Sequence, residues 1–255
     1  MTLISILVLG LFLGMRHATD SDHVVAVTTI VSRQRKIQSA ALTGVFWGIG
    51  HTITLMIVGG AIILFGVVIP DRLGLSLEFC VALMLIFLGG FNLRSFRKET
   101  LSIAASSVVH EHTHRHGDYI HSHAHGHEPE AHGHAADEVP TERFDRRFGR
   151  STLYRALRPV IVGIVHGLAG SAAVVLLVLP VIRNPLWAMV YLLLFGVGTI
   201  IGMMLITVAI AAPITFSAVR FRVFNRYAGA AAGVLSLGFG FFLVYQIGFV
   251  DGLFR

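Results

Sequence analysis

Charge is what this sequence has least of. Asp, Glu, Lys and Arg make up 13% of its 255 residues, about half the ~25% usual for a soluble domain. Cysteine is almost missing, with Cys80 the single example. One thiol excludes an internal disulfide and any multi-cysteine metal site. There is no Gly-x4-Gly-Lys-Ser/Thr loop, so ATP hydrolysis by this chain is not expected. There is no His-Glu-x-x-His helix, and the paired histidine boxes of membrane desaturases are missing too. The chain is therefore not read as an enzyme, and no prosthetic group is expected. No Lys or Arg precedes the first apolar run and no small-x-small site follows it. The first 15 residues are accordingly not read as a signal peptide.

What fills the chain instead is apolar, with 55% hydrophobic residues. Six apolar spans stand out: 3–31, 39–69, 77–93, 159–182, 186–215 and 227–250. All but the short third reach the ~20 residues that cross a bilayer. The reading is an all-α polytopic membrane protein with six transmembrane helices. The 27 glycines suit close helix packing in lipid.

The +6 net charge is not a nucleic-acid signal, because the basic residues are confined to loops on one side. Sixteen of the 20 lie after span one, after span three, before span four or after span five. Only Arg72, Arg183 and Arg255 fall on the other side. The positive-inside rule assigns the sixteen to the cytoplasm. Both termini are then expected to be external, which agrees with an even number of spans.

One stretch breaks the apolar pattern. Met15-Arg-His-Ala-Thr-Asp-Ser-Asp-His23 brings Arg16, His17, Asp20, Asp22 and His23 to a depth where hydrocarbon is expected. A charge there costs at least ~2.5–3.5 kcal/mol, so these groups must face an interior and satisfy one another or a ligand. Span one would be ~45 Å long as a straight helix, against a core of ~30 Å. On a regular helix His17 and His23 would lie ~9 Å apart along the axis, too far to share an ion. The expectation is a helix broken near residues 19–22, a device common in transporters. Arg16 and Asp20, four apart, are expected to pair, leaving His17, Asp22 and His23 for an ion. In span two, His51 follows Gly44, Gly48 and Gly50, which let a neighbour approach closely. It is read as a further ligand. Asn92, at the end of span three, is read as an interfacial cap. Met203 and Met204 are read as packing rather than as soft ligands.

The second half repeats the first faintly. Set His166 against His17, and Gly170-Ser171 fall where Ser21-Asp22 lie. Phe195-Gly-Val-Gly198-Thr199 lies against Trp47-Gly-Ile-Gly50-His51, and Gly240 against Gly90. The same order in three spans suggests two inverted three-helix repeats, 1–93 and 158–255, with the ion site at their interface. The second copy keeps one histidine and lacks the carboxylates.

Between them, 94–157 is expected to be a cytoplasmic, His-rich, disordered connection. Ten of the fourteen histidines lie in it: His110, His112, His114, His116, His121, His123, His125, His127, His132 and His134. Such a tract captures late first-row divalent ions.

Imidazole and carboxylate donors without thiolate suit Ni²⁺, Co²⁺, Zn²⁺ or Cu²⁺. The run His17-x4-Asp22-His23, with its flank Gly14-Met-Arg-His-Ala and with Gly50-His51-Thr52 in the next span, resembles the nickel/cobalt transporter family. The resemblance is carried mainly by residues 10–55. It implies a bacterial or archaeal inner-membrane permease for Ni²⁺ or Co²⁺, with His17, Asp22, His23 and His51 in the selectivity site. Arg16, Asp20, Thr52 and His166 are read as support around them. The second half, His166-Gly-Leu-Ala-Gly-Ser171, has no carboxylate and is similar to the short branch linked with urease accessory proteins. Uptake by secondary transport is the expected activity, the metal ion and the bilayer its partners, and a cytoplasmic metallochaperone a further one. Efflux by the same kind of permease is the alternative. A membrane metalloenzyme and a membrane-anchored metal buffer are the lesser rivals.

Overall fold

A computed structural model of the chain describes residues 3–32, 34, 36–67, 69–104, 110–116, 119–125, 156–157, 159–168, 182, 184–218 and 222–255. Among these residues the helices are α1 (Leu3–His17), α2 (Ser21–Val31), α3 (Ile37–Phe65), α4 (Asp71–Ala104), α5 (Pro159–Leu168), α6 (Pro185–Ala218) and α7 (Arg222–Tyr245). A π-helical turn, Gln246–Val250, continues α7. Four stretches are long and apolar enough to cross a membrane: Ile37–Phe65, Asp71–Arg97, Pro185–Phe216 and Tyr227–Val250. Their outward faces carry large apolar side chains such as Ile57, Phe87, Phe216 and Phe241. That surface suits hydrocarbon rather than water. The chain is a helical membrane protein.

Span one is two helices. α1 stops at His17 and α2 starts at Ser21. The residues between explain the stop. Thr19 turns its hydroxyl back onto the Arg16 carbonyl at 2.6 Å, and its N–H bonds the same oxygen at 2.8 Å. Asp20 is extended, with φ −60° and ψ 148°, and its carbonyl accepts the Val24 N–H at 3.0 Å as α2 begins. Short polar side chains compete with the helical backbone in this way, which makes them frequent at helix starts. Of span four the structure describes α5 and Ile182, so Gly170 and Ser171 lie outside the described residues. Span three is longer than expected, since α4 runs on past Leu93 to Ala104.

Glycines set the helix contacts, and the same contact occurs twice. A Cβ on Gly14 of α1 would strike the Phe195 carbonyl of α6, and one on Gly198 of α6 would strike the Leu11 carbonyl of α1. A Cβ on Gly163 of α5 would strike the Trp47 carbonyl of α3, and one on Gly50 of α3 would strike the Val160 carbonyl of α5. Gly163 stands to Gly14 as His166 stands to His17, and Trp47 to Phe195 as Gly50 to Gly198. α3 also meets α6 through Gly44 and Gly48, against Met203 and Ile200.

α4 and α7 form a third glycine contact. Gly89 lies against the Gly233 carbonyl and Leu237, while Gly240 lies against the Ala82 carbonyl and Ile86. This packing matches Gly89 to Gly240, one residue away from the expected match of Gly90 to Gly240. A Cβ on Gly90 would meet nothing within 4 Å. Adjacent glycines cannot be told apart by motif, and only the partner helix distinguishes them.

The main core joins Ala26, Val27, Val31, Trp47, Val81, Leu85 and Met203. Met203 is thus packing, as expected. Asn92 is not an interfacial cap. It is buried, and its amide donates to the Gly229 carbonyl at 2.9 Å and to the Ser32 hydroxyl at 3.3 Å, tying α4 to α7 and to the end of α2. A hydrogen bond is the way to bury an amide without a penalty of ~1–3 kcal/mol.

The first part of the histidine tract differs from expectation as well. His110–His116 and Tyr119–His125 form antiparallel strands β1 and β2, with His112 opposite His123 and His114 opposite His121. The alternation of histidine with other residues is itself a period of two, and Gly117-Asp118 between the strands is a two-residue hairpin signal. His127, His132 and His134 lie outside the described residues.

Candidate metal site

The break in span one builds a cluster. His17 is the last residue of α1, and Asp22 and His23 lie in the first turn of α2. His51 comes from the middle of α3 and His166 from α5. The negative end of one helix and the positive end of another meet here, so cations and carboxylates both find favourable poles. Asp22 sits at the positive end, in the first turn of α2.

The distances are short. His17 Nε2 and His51 Nε2 are 3.2 Å apart. His166 Nε2 lies 2.9 Å from Asp22 Oδ2 and 3.3 Å from His23 Nδ1. His23 Nδ1 is 3.1 Å from Asp22 Oδ1. The rings of His17 and His23 have centroids 4.7 Å apart. A continuous helix would have kept them ~9 Å apart along its axis. Two donors at ~2.1 Å from one ion stand ~3.0–3.4 Å apart for angles between octahedral and tetrahedral. The observed separations fall at or beside that range.

Burial is nearly complete for three of the imidazoles. His23, His51 and His166 are 2%, 1% and 1% exposed. Each has a ring nitrogen with no hydrogen-bond partner: His23 Nε2, His51 Nδ1 and His166 Nδ1. An unpaired buried polar atom costs ~1–3 kcal/mol. On His51 and His166 it is Nδ1, on the side of the ring away from the Nε2 that faces the other donors, so His23 Nε2 is the one that bears on an added ligand.

Aromatic rings flank the cluster. Trp47 stacks near-parallel to His23, with centroids 6.5 Å apart, and meets His166 edge-on at 5.6 Å. Phe195 lies 5.6 Å from His17. The pairs Trp47–His166 and Phe195–His17 are counterparts in the two halves. Thr199 stands in the place of His51 in the second half. It is fully buried, and its hydroxyl returns to the Phe195 carbonyl at 3.0 Å.

The structure thus brings His17, Asp22, His23 and His51 together. The four support residues sit differently from expectation. Asp20 pairs with His17, Oδ2 to Nδ1 at 2.7 Å, rather than with Arg16, which is exposed. The end of α1 turns Asp20 under the imidazole, whereas an Arg16 pair needed a continuous helix. Thr52 faces α6, where its hydroxyl donates to the Gly196 carbonyl at 3.1 Å. His166 is part of the cluster itself, in direct contact with Asp22 and His23. Trp47 and Phe195 were legible only as neighbours of the repeated glycines.

A helical membrane protein with histidines and a carboxylate gathered at a helix break is the class that this geometry defines. More narrowly, the chain belongs to the family of the urease accessory protein UreH. It is 36% identical over 257 aligned residues to the urease accessory protein UreH of Bacillus sp. (strain TB-90), an alignment covering 99% of this chain and 96% of that protein. This is the branch that the His17-x4-Asp22-His23 motif and the plain second half suggested. No family model matches the chain. No solved structure matches it either.

Proposed function

We propose that this protein is an inner-membrane permease for divalent transition-metal ions, taking up Ni²⁺ or Co²⁺ by secondary transport. One observation carries the reading: five ionisable side chains from four helices converge, with neighbouring donor atoms 2.9–3.3 Å apart. The donor set is nitrogen and carboxylate oxygen, which suits these borderline ions. The similarity to a urease accessory protein supports nickel. In this reading His17, Asp22, His23, His51 and His166 bind the ion, and Asp20 orients His17.

The architecture proposed with it is two inverted three-helix repeats. The paired contacts Gly14–Phe195 and Gly163–Trp47 support it, as do Gly198–Leu11 and Gly50–Val160. Sixteen loop cations on one side favour external termini and a cytoplasmic histidine tract.

Cells expressing the protein should accumulate radioactive nickel or cobalt from nanomolar supply. Net loss from preloaded cells, with no added uptake, would replace this reading by efflux.

Removal of residues 110–134 should leave uptake largely intact, because the intramembrane cluster contains none of them. A deletion variant that reaches the membrane and carries no metal would make the tract obligatory.

Asp20→Asn should weaken uptake by roughly 10-fold, the lower end of what an outer partner of a ligating histidine contributes. The concentration giving half-maximal uptake is the quantity to measure. An unchanged value would mean that the 2.7 Å contact with His17 does not position that ring.

A further inference from the structure

We propose that the cluster holds two alternative ion positions that share His23. One lies among His17, His23 and His51, the other among Asp22, His23 and His166. The proposal rests on the reading of this cluster as a cation site and goes beyond it, from one site to two consecutive ones.

The donor atoms divide this way by distance. In each group of three, every residue offers one donor atom within 4.8 Å of the others. The five residues do not form one such group among the described residues. Donors on a single ion can be at most ~4.2 Å apart. His51 and His166 sit at opposite ends, with ring centroids 6.4 Å apart. His23 lies between them, at 5.3 Å from His51 and 4.2 Å from His166.

The ring of His23 has a nitrogen for each position. Nδ1 faces Asp22 and His166 at 3.1 and 3.3 Å. Nε2 is buried without a partner. A neutral imidazole has one lone pair to give, on one nitrogen at a time. The two positions are therefore filled in turn, not together.

Exposure follows the same division. His23 is 2% exposed. Each group has one more open member: the His17 side chain at 14% and the Asp22 side chain at 31%. An ion entering past one and leaving past the other passes the sealed His23 between them. The positions also differ in charge. Three neutral imidazoles form the first, while Asp22 gives the second a negative charge.

The test uses the purified full chain in lipid nanodiscs, with Co²⁺ as the probe. Wild type should hold one Co²⁺ per chain tightly, apart from the weaker ions on the histidine tract, and the variants are compared at no more than one equivalent of Co²⁺. His51→Ala leaves the second position and His166→Ala leaves the first. Removing the weaker of two alternatives barely changes total affinity, so at least one variant should keep its Kd within about tenfold of wild type. The double variant should lose at least about 100-fold, far more than the single losses combined, as coupled alternatives require. X-ray absorption should find carboxylate oxygen on the ion in His51→Ala and imidazole nitrogen alone among protein donors in His166→Ala. His51→Gln and His166→Gln serve where an alanine variant does not keep its helical circular dichroism.

Two Co²⁺ held with the same high affinity in wild type and in a chain lacking residues 110–134 would overturn the proposal. So would no Co²⁺ at all, or single variants that each lose binding as fully as the double. Failure of the permease reading appears elsewhere, as absent uptake by cells whose purified protein still binds Co²⁺ in this pattern.

Discussion

His23→Ala is expected to end nanomolar nickel uptake while the protein remains in the membrane. The loss should exceed the roughly 10–100-fold that an outer-shell partner of a metal ligand costs. His23 is the one residue present in both three-donor groups. It also lies at the centre of the cluster, with Trp47 stacked beside it and His17, His51 and His166 around it. Its removal takes a donor from either position and leaves Asp22 without the 3.1 Å contact to Nδ1. Ser76→Ala is a suitable comparison, because that hydroxyl only returns to the Arg72 carbonyl on α4. Uptake at nanomolar supply, normalised to protein in the membrane fraction, reads the difference. A His23→Ala protein that keeps half of its uptake would exclude His23 from the ion's path.

Gly163→Ala should destabilise the protein by at least the ~1–3 kcal/mol typical of overpacking. The added methyl would meet the Trp47 carbonyl and the His51 N–H, both backbone of α3. A backbone cannot turn aside as a side chain can, so α5 must withdraw from α3. His166 is on α5 three residues further on, and His51 is at the contact itself. Separation of the helices would therefore pull the two histidines apart, and uptake should fall with stability. Gly14→Ala, its counterpart on α1, should behave alike against Phe195. Gly229→Ala is the contrast. A Cβ there meets nothing within 4 Å, and alanine favours a helix over glycine by ~0.8–1.0 kcal/mol. Thermal unfolding in detergent would rank the three. A Gly163→Ala protein as stable as wild type would show that α3 and α5 do not need this approach.

Much of this was open to reading in the chain. Scarce charge and long apolar runs identify a helical membrane protein, because hydrocarbon admits only helices and closed β-barrels, and barrel strands alternate rather than run apolar for ~20 residues. The break in span one was legible for a local reason. Thr19, Asp20 and Ser21 favour helix ends, and a continuous helix could not have brought His17 to His23. The ligand candidates His17, Asp22, His23 and His51 stood out because charge and imidazole are rare in such surroundings. These properties belong to a residue and its near neighbours, so the order of residues alone determines them.

The rest depended on which helices touch. His166 read as a weak echo of His17, since nothing within α5 supplies a carboxylate. Its partners, Asp22 and His23, come from α2 at the other end of the chain. Asp20 read as the partner of Arg16 because helical spacing favours residues four apart, and the break replaced that spacing with a turn onto His17. Asn92 read as a cap because burial is decided by α2 and α7 and not by its own helix. Gly89 and Gly90 are equivalent in sequence, and only the approach of Gly233 and Leu237 separates them. Composition and periodicity describe one helix at a time. Tertiary structure decides which faces meet, because glycine-to-backbone contacts tolerate no shift along the helix without a clash.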